Sequence, residues 1–368
     1  MSSEQTLVVV FLRGGADGLS IVAPVGDDAY HRARPSTRVA PADTIDLDGY
    51  FALHRALEPL HRHFVEGRLA ILHGAGSADT TRSHFEAQDF MEHAGDTGGG
   101  WLARYLRARG PASSALDAVA IGAVQPESLR GSPGGAVFES IREFAVGGDD
   151  PALLEHLARL YAVDPGPLGA AATVTIEAAR RLRALRLVDE PPANGASYPD
   201  TRFGRGLREI ARLVKAEIGV TATTIDMVGG GLGWDTHFLQ AQFVPDLLRE
   251  LGEGLDAFWR DLDRHRERVT TVVMTEFGRR VAENTSFGTD HGSGSVMFVL
   301  DENVGTVGRR PAAVESGWRD LSDERLVGPG DVPVTIDYRN VLAGVLGRHA
   351  PGLDPEQVFP GLRSANAS

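Results

Sequence analysis

The 368-residue chain contains no cysteine. That absence removes disulfides, thiolate zinc sites and cysteine nucleophiles together, so any metal must be held by oxygen and imidazole ligands. Basic charge is in short supply as well: 37 Lys and Arg stand against 50 Asp and Glu, a net charge of −13. This balance argues against nucleic-acid binding, which needs a basic face to neutralise phosphates. A small anion can still bind, but only at a local positive site such as a metal, an arginine or a helix N-terminus. Long apolar runs are missing too. The run from Leu7 to Leu12 has no basic region ahead of it and is far too short for a signal peptide or a membrane span. The expectation is a soluble, cytoplasmic protein with no membrane or nucleic-acid partner; its oligomeric state stays open.

What remains is an ordinary globular composition, 42% hydrophobic and 24% charged, at a length that one large α/β domain can reach. "TLVVVFL", the apolar stretch at 69–73, "ALDAVAIG", "TTIDMV", "TTVVMT" and "GSVMFVL" read as buried strands. Helices are expected from about Ser83, through 151–187, over 202–217, along "FVPDLLRELGEGLDAFWRDLDRH", and near the C-terminus in "DYRNVLAGVLGRH". Strands alternating with helices predict a doubly wound, mostly parallel central sheet with helices on both faces. We read residues 1–368 as one such domain, with 151–200 as a helical insert and loop covering the site.

Ligands of such sheets bind beyond the carboxyl ends of the strands. Arg13 and Asp17 follow the first strand; His73 ends the second, and Arg82, Ser83 and His84 open the next helix. Asp235 and His237 follow "TTIDMV", Glu276 and Arg279 follow "TTVVMT", and Asp290 and His291 directly precede "GSVMFVL". Parallel strands would bring these five segments to one edge. Each has a bland alternative. Asp17 in "GGADG" can be a turn residue. Ser83, with Glu86 three residues on, fits a capping box. Glu276 and Arg279 can be a local salt bridge, and Asp235 with His237 a surface turn. His61 and His63 read as surface or packing residues, and His156, His265 and His349 as solvated.

The motifs "FLRGGADGLS", "TRSHFEAQDFME", "GWDTH", "TEFGRRVAEN", "TDHGSGSVMFVL" and "DVPVTIDYRNVLAGVL" resemble, in the same order, the bacterial domain-of-unknown-function family 1501, from about residue 6 to 361. That family is usually placed in the alkaline phosphatase and sulfatase superfamily. The resemblance implies a phosphoryl- or sulfuryl-transfer fold using one or two divalent metals. It implies Asp17, Asp235, His237, Glu276, Asp290 and His291 as metal ligands, without distinguishing Zn, Mn, Mg or Ca. Ser83 takes the nucleophile's place, with Arg82, His84 and Arg279 in catalytic roles and Arg13, Arg82 and Arg279 as anion contacts. Phe277 occupies a place where the superfamily carries a second ligand, and the twin-arginine export signal of many relatives is lacking. The expectation is a metal-dependent hydrolase or transferase acting on a small phosphate or sulfate ester, without an organic cofactor. The alternatives are a scaffolding protein with a degenerate site, or a non-hydrolytic tailoring enzyme using the same acid, histidine and arginine cluster.

Overall fold

The computed structural model describes all residues except 1–4, 112–113, 133, 145–150, 186–189, 230–232 and 363–368. Among the described residues the strands are β1 (Thr6–Leu12), β2 (Val22–Ala23), β3 (Thr44–Asp46), β4 (Ala52–His54), β5 (Leu69–Gly76), β6 (Ala118–Ile121), β7 (Ala136–Phe138), β8 (Ala222–Met227), β9 (Val269–Met274), β10 (Arg279–Glu283), β11 (Thr289–His291), β12 (Ser295–Leu300), β13 (Val314–Ser316) and β14 (Ile336–Asp337). Nine of them make the central sheet in the order β13-β5-β12-β9-β1-β8-β6-β7, with β14 beside β5. Every pairing is parallel except those of β12, which runs antiparallel to both β5 and β9. This is the mostly parallel α/β sheet expected from the alternation.

Both faces of the sheet are covered. Along β1, Val8, Val10 and Leu12 enter one core, while Leu7, Val9 and Phe11 enter another. A strand buried on both sides reads as a continuous apolar run, which explains "TLVVVFL". The first core takes the helices Glu58–Val65, Arg202–Lys215 and Gln240–Leu262; the second takes His84–His93, Trp101–Arg109 and Tyr338–His349. In Arg202–Lys215 the buried stripe includes the expected Leu207, Ile210, Leu213 and Val214.

β8, the helix Gln240–Leu262 and β9 are parallel as expected, but β1 lies between the two strands. The carboxyl ends of β1, β5, β8 and β9 therefore face the same edge as the amino end of antiparallel β12. In the 151–200 region, helices Pro151–Tyr161 and Pro167–Ala184 pack around Leu154, Ile176 and Ala179. The following loop is anchored by Ala193 N and Tyr198 Oη on the Asp261 carboxylate. Asp261 lies at the end of its helix opposite Gln240. No helix among the described residues is long and apolar enough to cross a membrane.

Candidate metal and anion site

The opening residues of the site come from a hairpin that periodicity did not reveal. "TDH", which directly precedes "GSVMFVL", is β11, paired antiparallel with β10 so that Arg279 faces His291. Gly288 makes the close approach possible, since a Cβ there would lie 2.2 Å from the carbonyl carbon of His237. The hairpin thus presses the 235–237 segment against β11, and Thr289 N donates to Thr236 O at 3.1 Å. The glycine loop at 230–232 before Asp235 lies outside the described residues.

Four side chains converge. The Asp235 Oδ1 lies 3.1 Å from His237 Nε2, 3.1 Å from His291 Nε2 and 3.3 Å from His84 Nε2. The Nε2 atoms of His237 and His291 are 2.9 Å apart. On each ring the other nitrogen points outward to an acceptor: His84 Nδ1 to Glu276 Oε1 at 2.8 Å, His291 Nδ1 to the Arg82 carbonyl at 2.8 Å, and His237 Nδ1 to Asp290 Oδ1 at 3.4 Å. A carbonyl or ionised carboxylate can only accept, so Nδ1 of His84 and of His291 donates outward and Nε2 is the nitrogen left to face Asp235, donating to it when protonated and able to hold an ion when not. Metal-binding histidines are oriented in this way by second partners. His84 Nε2 is buried and has no hydrogen-bond partner. Around a tetrahedral ion with bonds of about 2.0–2.1 Å, ligand atoms sit roughly 3.3–3.4 Å apart, close to the distances from Asp235 Oδ1 to the three Nε2 atoms. His84, Asp235 and His291 each offer a ligand atom within 4.8 Å of the others, and His237 Nε2 adjoins Asp235 and His291 beside that set.

The electrostatics match a site rich in acids. The Asp235 and Glu276 carboxylates hold the His84 imidazole up, at about 9. Burial works against ionising Asp235, yet the adjoining His291, His84 and Arg279 keep it far below the usual carboxylate range. For His237, burial and then the charge of Arg279 push the ring down. Phe277, where a second ligand was expected, instead lays its ring 4.9 Å from both His84 and His291 and forms an apolar wall for them.

The other expected site residues are placed differently. Asp17 stands apart from the cluster: it forms a buried ion pair with Arg34, and its oxygens also take Ser20 Oγ at 2.6 Å and Gln240 Nε2 at 2.6 Å. Its bonding capacity is spent, and nothing in the 17–34 separation betrayed that pairing. Glu276 lies behind His84 rather than in the converging set, accepting from Gly14 N, His84 Nδ1 and Gln88 Nε2 through Oε1. Asp290 likewise backs His237 and accepts from Asn284 Nδ2. Arg279 is buried and donates to the carbonyls of Gly14, Gly15, Trp234 and Thr289 and to Asp235 Oδ1. Its guanidinium is committed to the frame and offers no free face to an anion.

Arg82 spends its guanidinium on Asp331 at 2.6 Å and brings only its carbonyl to the cluster. Arg13 is held by Glu92 and Asp226, both at 3.0 Å. Its partner Asp226 also lines a cavity of about 620 Å³ at the ends of β6 and β8. Ser83 is the N-cap residue of its helix, but its side chain makes no capping bond, so the capping box does not form. His73 is a core residue, between Val22 O and Trp318 Nε1. His63 is a buried packing residue, one of the two roles expected for it; His265 and His349 are buried rather than solvated, and His156 is exposed.

The topology and this acid–imidazole centre define an α/β protein with its polar cluster at the carboxyl edge of the sheet. The family model for a protein of unknown function, DUF1501, matches residues 169–361, just over half of the chain, and the chain belongs to that family. The motifs before residue 169 lie outside the matched span. No curated protein matches the chain. Among solved structures, a phosphonate monoester hydrolase of Agrobacterium radiobacter is similar at 10% identity and a TM-score of 0.34, covering 85% of this chain and 70% of the other.

Proposed function

We propose that the chain is a metal-dependent hydrolase or transferase acting on a phosphate or sulfate ester. The observation that carries this reading is the convergence of three imidazole Nε2 atoms on Asp235 Oδ1, each ring fixed by an outer acceptor. His84, Asp235, His237 and His291 would hold the ion; Glu276, Asp290 and the Arg82 carbonyl would orient the rings. A bound divalent ion would screen the negative ester and polarise its oxygens.

The protein's own part falls to Ser83. Its hydroxyl is not spent on capping, it precedes His84 directly, and it stands at a helix start whose orphan amides favour an anion. In this reading Ser83 Oγ forms a bond to phosphorus or sulfur, the ester's alcohol leaves with a proton, and water later releases the acid and restores the hydroxyl. Elemental analysis of purified protein with and without Asp235→Asn is the first test. Bound metal in the parent that vanishes in the variant is expected, and a parent that takes up none of Zn²⁺, Mn²⁺, Mg²⁺ or Ca²⁺ would defeat the proposal. One observation favours a second reading: Arg279 Nη2 already lies 2.6 Å from Asp235 Oδ1 and supplies a positive charge there. A metal-free parent would support that reading, an arginine-balanced binding site.

A further inference from the structure

Among the described residues, every exposed aromatic side chain lies on a segment that carries part of this centre. They are Phe85 (85% exposed), Phe238 (41%), Phe243 (45%) and Phe287 (54%). Phe85 follows His84, and Phe238 follows His237 and meets Phe243 with ring centroids 5.9 Å apart. Phe287 sits at the β10–β11 turn, joined to the same region by Leu239 N to Ser286 O and Gln240 N to Phe287 O bonds of 3.0 and 2.9 Å. Leu239, itself exposed, extends the patch.

Single exposed apolar residues are normal on a protein surface, but four phenylalanines confined to the rim of one polar centre are not a scatter. The backbone there is also held at a cost: Arg82, Leu239 and Phe287 all have left-handed φ values, 56°, 45° and 59°. Non-glycine residues rarely adopt this region, and such strain gathers at ligand sites. Ring and aliphatic surface beside a converging acid–imidazole set suits a molecule with an anionic end and a bulky apolar end. A membrane is a poor occupant, because a net charge of −13 opposes an anionic lipid surface.

We infer that the substrate is a soluble ester whose non-reacting half is a large aryl or branched apolar group, seated on Phe238, Phe243 and Phe287. This rests on the reading of the centre as an ester-handling site. The test is calorimetric titration of the full chain, with Zn²⁺ present, by three probes: methylphosphonate, 2-naphthylmethylphosphonate and 2-naphthalenemethanol. The naphthyl phosphonate should bind at least about tenfold tighter than methylphosphonate, as burial of one aryl group implies. In Phe238→Ser/Phe243→Ser that advantage should shrink below about threefold while methylphosphonate affinity stays unchanged. Equal affinities, an advantage that survives the double variant, or no binding of any probe would overturn the inference. So would a self-association or a co-sedimentation with phosphatidylglycerol vesicles that the double variant abolishes, because the patch would then be an interface. If the naphthalene alcohol binds as tightly as the phosphonate, the apolar seat stands and the ester reading falls.

Discussion

Replacing Arg279 should cost more stability than replacing any acid of the site. Its side chain has no solvent exposure, and its donors reach four backbone carbonyls from three separate segments and one carboxylate oxygen. Hydrogen bonds from a charged donor are worth about 1.5–3 kcal/mol each, but these contacts act as one unit and do not add. The better guide is removal of one partner from a buried pair, about 3–5 kcal/mol. Arg279→Met should therefore lower unfolding free energy by about 4 kcal/mol, read from urea midpoints at constant slope. Arg279→Lys keeps the charge but loses the planar fork; an ammonium can satisfy only part of the set, so a loss of about 2 kcal/mol is expected. Both variants should also weaken Zn²⁺ uptake, because the 14–15, 234–235 and 289 segments are set by this one side chain. Stability of Arg279→Met within about 0.5 kcal/mol of the parent would refute the argument that the guanidinium frames the site.

Glu276→Gln should leave the fold largely intact yet reduce Zn²⁺ affinity about 10–100-fold, the usual effect of losing a carboxylate behind a ligating histidine; equilibrium dialysis reads it. Ser83→Ala should change stability by less than about 0.5 kcal/mol, since no capping bond is lost, while abolishing ester turnover. A loss near 1 kcal/mol with turnover retained would return Ser83 to a capping role. Burial holds His73 at about 4 in the fold, below its unfolded value of about 6.5, so the neutral ring is the folded form. Its stabilisation is full above pH 6.5 and is lost as pH falls towards 4, amounting to about 2 kcal/mol between pH 6.5 and 5. Urea midpoints at the two pH values, compared with those of His73→Gln, check this; an unchanged slope in the variant would count against it.

The strands and helices were legible because their periodicity is local. β1, Arg202–Lys215 and β9 lie where alternation or three- and four-residue spacing put them. The partners of charged groups were not legible, because they are set by packing across long separations. Asp17 looked like a ligand from its place after a strand, yet Arg34 claims it; Glu276 looked like a ligand and stands behind His84. His84 was read as a catalytic neighbour of Ser83, and only the approach of β11 shows its Nε2 aimed at Asp235. The hairpin itself escaped notice because "RRVAE" and "TDH" are short and polar.

In the proposed centre, the placement of acids is what separates a ligand from its support. Asp235 is half-buried, with one oxygen turned to three imidazoles, whereas Glu276 is buried and already accepts three hydrogen bonds through Oε1. Glu276 thus serves as an acceptor behind one ring, while Asp235, whose Oδ1 also takes Arg279, shares its surroundings with all three rings. The sequence offers both acids after buried strands, in equivalent positions. The arrival of Gln88 and the Gly14 amide at Glu276 sets it behind His84, and neither residue carries a signal for that role in the linear chain.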